Sequence, residues 1–220
     1  KKMQKTIIPL FSPPENIRPY LLGTIKDEKI DKEDIIGSII DLAYRGYIKI
    51  KEITKNTNYL LTKLEGKKDD PGLDNIETDV MNAVFNGQDT METKKLYLYF
   101  PRKYPSIISQ IYDQVVSKKY FSRSPRTVRA SYLGLGLLIM TLGICASIFI
   151  SIFLTYMFGY LTPFAFGLGI ITYGIAIMIA SNFMPAKTEL GSKAFADILG
   201  FKMYLHTAER YRLQKLGPDE

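Results

Sequence analysis

The amino-acid sequence predicts an α+β protein: a winged-helix-like cytoplasmic domain, then a two-helix transmembrane hairpin and a C-terminal cytoplasmic helix. Three observations lead to this prediction. Residues 130–186 contain no Asp, Glu, Lys or Arg, although both flanks are rich in them. A helix–strand–turn–strand pattern occupies residues 31–64, and a helical repeat of apolar residues follows residue 188. We therefore expect domain boundaries that separate 1–129, 130–186 and 187–220.

The uncharged stretch is long enough for two membrane spans. A bilayer core of about 30 Å takes about 20 apolar residues per helix, and we place the spans at 131–158 and 162–184. The break between them contains Gly159 and Pro163, which favour a tight connection and hence antiparallel helices. A pair of core helices in a soluble protein is the alternative, but little sequence remains to cover so much apolar surface.

Basic residues flank the uncharged stretch, and none lies in the connection between the spans. Arg123, Arg126 and Arg129 precede it, and Lys187 and Lys193 follow it. The positive-inside rule then predicts a multi-pass plasma-membrane protein whose two ends are cytoplasmic and whose connection is outside. No ionisable side chain lies within either predicted span, so the usual marker of ion transport or proton relay is missing.

Small residues recur every fourth position in both predicted spans, which lets helices approach closely in lipid. The packing residues that this spacing predicts are Gly143, Ser147, Ser151, Gly169, Ala176 and Ala180. One alternative is that Gly and Ala are simply common in membrane helices. A homo-oligomer formed through the same positions is a further open alternative.

The protein is basic, with a formal net charge of +7, and part of this excess is local. The segment just before the first span contains five basic residues and no acidic one: Lys118, Lys119, Arg123, Arg126 and Arg129. Anionic headgroups on the cytoplasmic face attract such cations. We predict anionic-lipid contact there, and a role in membrane topology alone is the alternative.

Residues 31–64 carry the clearest signals in the soluble part. Asp31 and Asp34 form a capping pair at the start of a predicted helix, and Gly46 ends it. Residues 47–53 and 59–64 then alternate as two strands joined by a turn. A helix followed by such a hairpin is typical of the second half of a winged helix.

The rest of the soluble sequence predicts two further helices, a strand and a tail helix. Asp74 and Glu77 resemble a second capping pair. Residues 90–100 contain an alternating apolar run that predicts a strand or extended segment, and Pro105 begins the next helix. Thr188 or Ser192 caps a tail helix that runs to about residue 216, and we expect this helix to pack on the soluble domain or lie on the membrane surface.

No catalytic apparatus is recognisable in the sequence. The only cysteine, Cys145, lies within a predicted span, so no intrachain disulfide and no Cys-based metal site can form. The only histidine, His206, lies on the tail helix without the neighbours that a metal site or a triad needs. The Asp69–Asp70 pair is typical of a solvated loop. We therefore predict no enzyme activity and no cofactor.

Three functions from different classes remain. We favour a membrane-anchored interaction or scaffold module whose cytoplasmic domain docks a protein partner. The first alternative is a membrane-tethered nucleic-acid-binding regulator. Lys49 and Lys51 in the predicted wing support it, but the charged residues of the preceding helix are mostly acidic. The second alternative is an accessory subunit of a membrane transport or enzyme complex.

Three pieces of the sequence carry a family resemblance. They are Pro13–Pro14, the run DLAYRGYIKI at residues 41–50, and MPAKT at 184–188 leading into GFKMYL at 200–205. In this order the pieces resemble the YciQ-like family of bacterial predicted membrane proteins, domain of unknown function 2207. The resemblance implies a multi-pass membrane protein with an extracytoplasmic β-rich domain and a further span upstream. It implies no activity.

Overall fold

The computed structural model describes residues 7–14, 17–158 and 164–216. It divides into two compact units, one formed by Lys1–Tyr120 with Lys187–Glu220 and the other by Phe121–Ala186. Helices combine with one small antiparallel sheet, so the predicted α+β class is confirmed.

The first unit contains five helices and three strands in its described part. They are α1 (Pro19–Asp27), α2 (Lys32–Tyr44), β1 (Ile48–Thr54), β2 (Asn58–Lys63), α3 (Asn75–Phe85), β3 (Thr90–Glu92), α4 (Leu96–Ser117) and α7 (Glu189–Leu216). The strands are ordered β1-β2-β3, with Ile50 opposite Leu61 and Leu61 opposite Met91. The sheet is therefore a short meander beside the helices.

The predicted helix boundaries of α2 and α3 rest on the expected capping contacts. The backbone N–H of Asp31 donates to Asp34 Oδ2 at 2.9 Å. At α3 the exchange is reciprocal: Glu77 N donates to Asp74 Oδ1 at 2.8 Å, and Asp74 N donates to Glu77 Oε2 at 3.0 Å. Gly46 has a φ of +86°, which explains why a glycine ends the turn after α2.

The core of the first unit lies where α1, α3 and α4 meet the inner faces of α2 and β1. Apolar side chains from all five elements are fully or almost fully buried there: Tyr20, Leu21, Ile25, Leu42, Ile48, Val80, Val84, Ile107, Ile111 and Val115. Burying a side chain of this kind stabilises a fold by about 1.5–3 kcal/mol. The unit therefore has a continuous core despite its short strands.

The strand or extended segment predicted within 90–100 is wrong at 96–100, because these residues form the first turns of α4. For the same reason the helix expected to begin at Pro105 begins at Leu96. The alternation of Leu96, Leu98 and Phe100 suggested a period of two, but Leu98 is exposed and does not face the core. The strand at this point is three residues long, Thr90–Glu92, and ends before the apolar run. Pro101 and Pro105 lie inside α4, so α4 lacks two of its hydrogen-bond donors.

The tail helix α7 packs within the first unit, which is one of the two arrangements the sequence predicted. Thr188 caps it, because its Oγ1 accepts a hydrogen bond from Gly191 N at 3.0 Å. Gly200 lies against the backbone carbonyl of Ile8. The Phe11 ring meets the Tyr204 ring edge-on, with centroids 5.1 Å apart. The extended segment at 7–14 therefore lies along α7.

The second unit contains α5 (Pro125–Phe158) and α6 (Phe164–Ala180), followed by a single 3₁₀ turn, Ser181–Phe183. The predicted break at 159–163 lies outside the described residues. Within those residues, one helix, Pro125–Met157, is long and apolar enough to cross a membrane, and Gly167–Phe183 is apolar but shorter. The first predicted span thus lies inside a helix that begins six residues earlier than expected.

Candidate interaction surfaces and membrane segment

A cluster of charged side chains is buried where α2 ends. Arg45 Nε and Nη2 donate to the two carboxylate oxygens of Asp70, both at 2.8 Å, and Nη1 donates to Glu77 Oε1 at 2.7 Å. Nη2 also donates to the Gly72 carbonyl at 2.8 Å. The Tyr47 hydroxyl completes the cluster by donating to Asp70 Oδ1 at 2.8 Å.

Electrostatics within this cluster favour the charged forms. The hydrogen bonds from Arg45 lower the pKa of Asp70 well below its ordinary value, and the same bonds raise the pKa of Arg45. The hydrogen bond to Asp70 raises the pKa of Tyr47. The carboxylates of Asp70 and Glu77 are both engaged by Arg45, so the cluster holds the structure in place.

The buried charged cluster around Arg45 was not predicted, although the sequence pattern of α2 indicated that Arg45 is buried. The buried residues of α2 are Ile35, Ser38 and Leu42, and the same spacing of three or four brings Arg45 onto the buried face. A lone arginine at such a position needs carboxylate partners. One partner, Asp41, lies four residues earlier on α2 at 3.3 Å, whereas Asp70 and Glu77 are distant and the local sequence does not identify them.

An open cleft of about 490 Å³ lies beside this cluster. Its walls are formed by six residues of the first unit: Ile17, Arg18, Pro71, Asp74, Gln114 and Lys118. Asp74 already accepts from the Tyr20 hydroxyl and caps α3, while Arg18 pairs with Glu77 at 3.3 Å. Burial and the Asp74 carboxylate raise the pKa of Tyr20. The polar groups of this cleft are thus largely committed to the fold.

The outer face of α2 is apolar. Ile36, Ile40 and Tyr44 follow one another at intervals of four residues, and they are 53%, 58% and 78% exposed. Lys67 Nζ lies 4.7 Å from the centroid of the Tyr44 ring. Residues at this spacing share one helix face, so α2 presents a continuous apolar stripe to its surroundings.

The α5 and α6 helices pack against each other in antiparallel register. Gly136 lies against Gly174 and Met178, and Gly143 lies against Ile170. Farther along α5, Ser147 lies against Gly167. Because glycine has no side chain, these positions let the two backbones approach closely.

The structure divides the predicted small residues between two faces. Gly143 is buried, and Ser147, Ser151 and Ala180 are half-buried. Gly169 has open space where a Cβ would lie, and Ala176 is exposed. The α6 contact with α5 instead uses Gly167 and Gly174. The sequence offers small residues on more than one face of α6, and packing through the predicted ones stays a prediction.

The predicted basic residues lie at the junctions of helices. Lys118 caps the C-terminus of α4, and Lys119 follows it with a φ of +60°. Arg123 precedes α5 and is exposed, Arg126 lies exposed in its first turn, and Arg129 is half-buried. Contact with anionic lipid stays a prediction for all five.

The candidate chemical residues are not gathered into a site. Within residues 7–14, 17–158 and 164–216, no group of three His, Cys, Asp or Glu side chains could hold a metal ion. His206 is exposed on α7, Cys145 is exposed on α5, and Asp70 is taken up by Arg45. The absence of enzyme activity and of a cofactor stays a prediction.

Comparison with known proteins gives one match. No curated protein and no solved structure matches the chain significantly. Residues 8–219 match the family model described as the C-terminal domain of the predicted membrane proteins DUF2207, which covers nearly the whole sequence. The chain therefore belongs to this family of predicted membrane proteins, whose function is unknown.

Proposed function

We propose that this protein is a multi-pass plasma-membrane protein whose cytoplasmic first unit is a membrane-anchored interaction module. The observation that supports this proposal most strongly is the apolar helix Pro125–Met157, which is 33 residues long. In its most apolar 18-residue window, only 6% of the residues are buried. At 1.5 Å per residue it is about 50 Å long, more than a bilayer core requires. Exposed apolar surface of this extent favours lipid over water.

The second span of this proposal is α6 with the residues that adjoin it. Its described apolar part, Gly167–Phe183, is shorter than a full span. The adjoining sequence at 159–166 is also uncharged, and the close contact of Gly174 with α5 supports a paired insertion. With Arg123 before α5, Arg126 in its first turn and Lys193 after α6, the positive-inside rule favours both ends in the cytoplasm.

A topology experiment tests the anchoring. A cysteine replaces Tyr160 in a Cys145→Ser background, and a membrane-impermeant thiol reagent is added to intact cells. We expect labelling from outside at position 160. The control is Lys55→Cys, in the exposed β1–β2 turn, which reacts only after permeabilisation. The opposite pattern at the two positions contradicts the orientation.

The apolar stripe on α2 supports a protein partner. In a winged-helix-like arrangement, α2 corresponds to the helix that would read a DNA groove. Recognition of DNA needs cations for phosphates and polar groups for base edges. Here the outer face carries Ile36, Ile40 and Tyr44, which fit an apolar surface on another protein better than a nucleic acid.

Site-specific photocrosslinking tests the partner. A photoreactive amino acid is placed at Ile40 or Tyr44 of the full-length protein in its own cells. The control position is Asn82, which is exposed on α3. We expect the same protein to be captured from both α2 positions and not from Asn82. Equal capture from all three positions contradicts docking at the stripe.

A nucleic-acid-binding regulator is the second candidate function, because β1 carries exposed cations. Lys49 and Lys51 are exposed on β1, and Lys55 lies in the turn that follows. A gel shift with duplex DNA and the detergent-solubilised protein at low and high salt separates the two candidates. Binding that weakens steeply with salt favours the second candidate, and no binding at low salt removes it.

A further inference from the structure

The first turns of α4 carry exposed apolar and aromatic side chains among cations. Tyr97 is 73% exposed, Leu98 49% and Tyr99 38%. The sequence from 93 to 112 contains no acidic residue. We call the following residues the aromatic–basic patch: Lys94, Tyr97, Leu98, Tyr99, Arg102 and Lys103. A soluble surface rarely keeps adjoining large apolar side chains in water without a partner.

The patch surrounds the start of α4 and is not confined to one side of the helix, because Tyr97, Leu98 and Tyr99 are consecutive residues. Leu98 and Arg102 are four residues apart, as are Tyr99 and Lys103, so each pair stands on a common face. The buried residues of the same helix are Ile107 and its neighbours toward the C-terminus. The part of α4 that carries the patch therefore extends beyond the core.

Most cations of the patch are not neutralised by the protein. Lys95, beside the patch, pairs with Glu92 at 3.2 Å. Within the described part of the chain, no carboxylate forms an ion pair with Arg102 or Lys103, and both are exposed. The acidic start of α2 acts on Tyr104, which is half-buried on the inner side of α4.

Two prolines set how deeply such a segment can enter a membrane. Pro101 and Pro105 have no N–H, so the carbonyls of Tyr97 and Pro101 lack their usual helical donors. An unsatisfied carbonyl is strongly disfavoured in hydrocarbon but is satisfied by water at the headgroup level. The segment is therefore suited to lying in the interface and unsuited to crossing it.

We propose that the aromatic–basic patch is a docking surface for the anionic face of a lipid bilayer. Tyr97, Leu98 and Tyr99 lie among the headgroups and upper acyl chains, and Arg102 and Lys103 contact the anionic headgroups. Tyrosine is enriched at membrane interfaces, and basic amphipathic helices bind anionic lipid there. The surface lies apart from α5 and α6 in sequence and goes beyond the anchoring proposed above.

A single-stranded nucleic acid is the competing occupant. Its bases stack on aromatic rings, and its phosphates contact cations. The bilayer is favoured because the patch includes an exposed leucine, which has no ring on which a base could stack, and because the chain belongs to a family of membrane proteins. An anchored protein also meets its own bilayer at a high effective concentration.

Lipid-quenching fluorescence on the full-length protein tests the proposal. A cysteine replaces Leu98 in a Cys145→Ser background and carries an environment-sensitive fluorophore. The protein is reconstituted into vesicles containing quencher-bearing lipid, either with phosphatidylglycerol or with phosphatidylcholine alone. We expect quenching at position 98 in the phosphatidylglycerol vesicles and much less in the others. A fluorophore at Asn82→Cys, on α3, stays in water in both.

Charge reversal supplies the matched comparison. Arg102→Glu with Lys103→Glu lowers the lipid-contacting fraction of the fluorophore by at least about tenfold. Lys49→Glu with Lys51→Glu makes the same change in net charge on β1 and leaves quenching unchanged. Circular dichroism of each variant verifies the fold, and Arg102→Gln with Lys103→Gln gives an intermediate loss without introduced acids.

The outcomes of these fluorescence measurements distinguish a lipid bilayer from a single-stranded nucleic acid as the ligand of the patch. An aqueous signal at position 98 in both lipid compositions overturns the proposal. Protection of the fluorophore by a polyuridine oligonucleotide, with no quenching by lipid, overturns it in favour of nucleic acid. A failure of the anchoring proposal appears instead in the labelling of position 160, whereas quenching at position 98 reports only on the patch.

Discussion

Arg45 donates two hydrogen bonds of 2.8 Å to the carboxylate of Asp70, 25 residues farther along the chain. The pairing is bidentate, the strongest geometry available to a guanidinium. It joins the end of α2 to the loop before α3. The Arg45 bond to Glu77 joins the same point to the first turn of α3. One side chain thus joins the end of α2 to two neighbouring segments that lie 25 and 32 residues farther along the chain.

Arg45→Leu is expected to destabilise the first unit by about 3–5 kcal/mol, because it removes the cation from Asp70 and leaves buried Glu77 with Arg18 as its remaining cation. Glu77 is 2% exposed, so water cannot replace the lost partner. The near-UV tyrosine signal during thermal unfolding in detergent provides the measurement. Arg102→Leu makes the same substitution at an exposed position and is expected to change stability by less than about 0.5 kcal/mol. Equal midpoints for the two variants contradict the prediction.

Acid is expected to weaken the same unit through Asp70. Its pKa in the folded protein is lowered by Arg45, whereas in the unfolded chain it lies near ~3.9. A lowered folded-state pKa contributes stability that is present above the unfolded value and is lost as pH falls below it. Melting midpoints measured from neutral pH to about pH 3 should therefore fall at the acid end.

Asp70→Asn provides the control for the acid prediction. The variant cannot accept the ionic pairing, so it is expected to be less stable at neutral pH and to depend less on pH in the acid range. Parallel pH curves for the variant and the parent protein show that other carboxylates dominate the acid response.

Two glycines of α7 are expected to respond differently to alanine. At Gly191 an added Cβ overlaps the Tyr120 carbonyl, which accepts a hydrogen bond from Thr188 N at 3.0 Å. Overpacking against a held backbone costs about 1–3 kcal/mol, so Gly191→Ala should lower the melting midpoint.

At Gly200 the added Cβ overlaps the carbonyl of Ile8 instead. Ile8 is 68% exposed and Phe11 79%, so the segment at 7–14 can move away at little cost. Gly200→Ala should therefore increase limited proteolysis within 7–14 and leave the melting midpoint nearly unchanged. A large fall in the midpoint without faster cleavage would show that this segment is integral to the core.

The contact between α5 and α6 is expected to depend on Gly174 and not on Gly169. Gly174 lies against the backbone of Gly136, whereas a Cβ at Gly169 meets open space. Gly174→Leu should separate the helices and abolish disulfide crosslinking between Gly143→Cys and Ile170→Cys in a Cys145→Ser background. Gly169→Leu should leave crosslinking intact, and loss of crosslinking in both variants contradicts this register.

Local chemistry explains which parts of the fold were predictable. The capping pairs Asp31–Asp34 and Asp74–Glu77 act over three residues, and Gly46 ends its turn through its own backbone angle. Such signals are complete within a few residues. The apolar run at 96–100 was misjudged because alternation indicates a strand only where one face is buried. Here Leu96 and Phe100, four residues apart, are half-buried and Leu98 is exposed, which is the spacing of a helix.

By itself, the sequence determined that an uncharged apolar stretch separates two charged segments. It also determined where α2, the β1–β2 hairpin and α3 lie along the chain. These properties depend on composition and on neighbours along the chain. Only the tertiary structure decided that Arg45 meets Asp70 and Glu77, that α6 turns Gly167 and Gly174 toward α5, and that the start of α4 protrudes with its tyrosines exposed. Each of these depends on which distant segments come together, and burial is a property of that assembly.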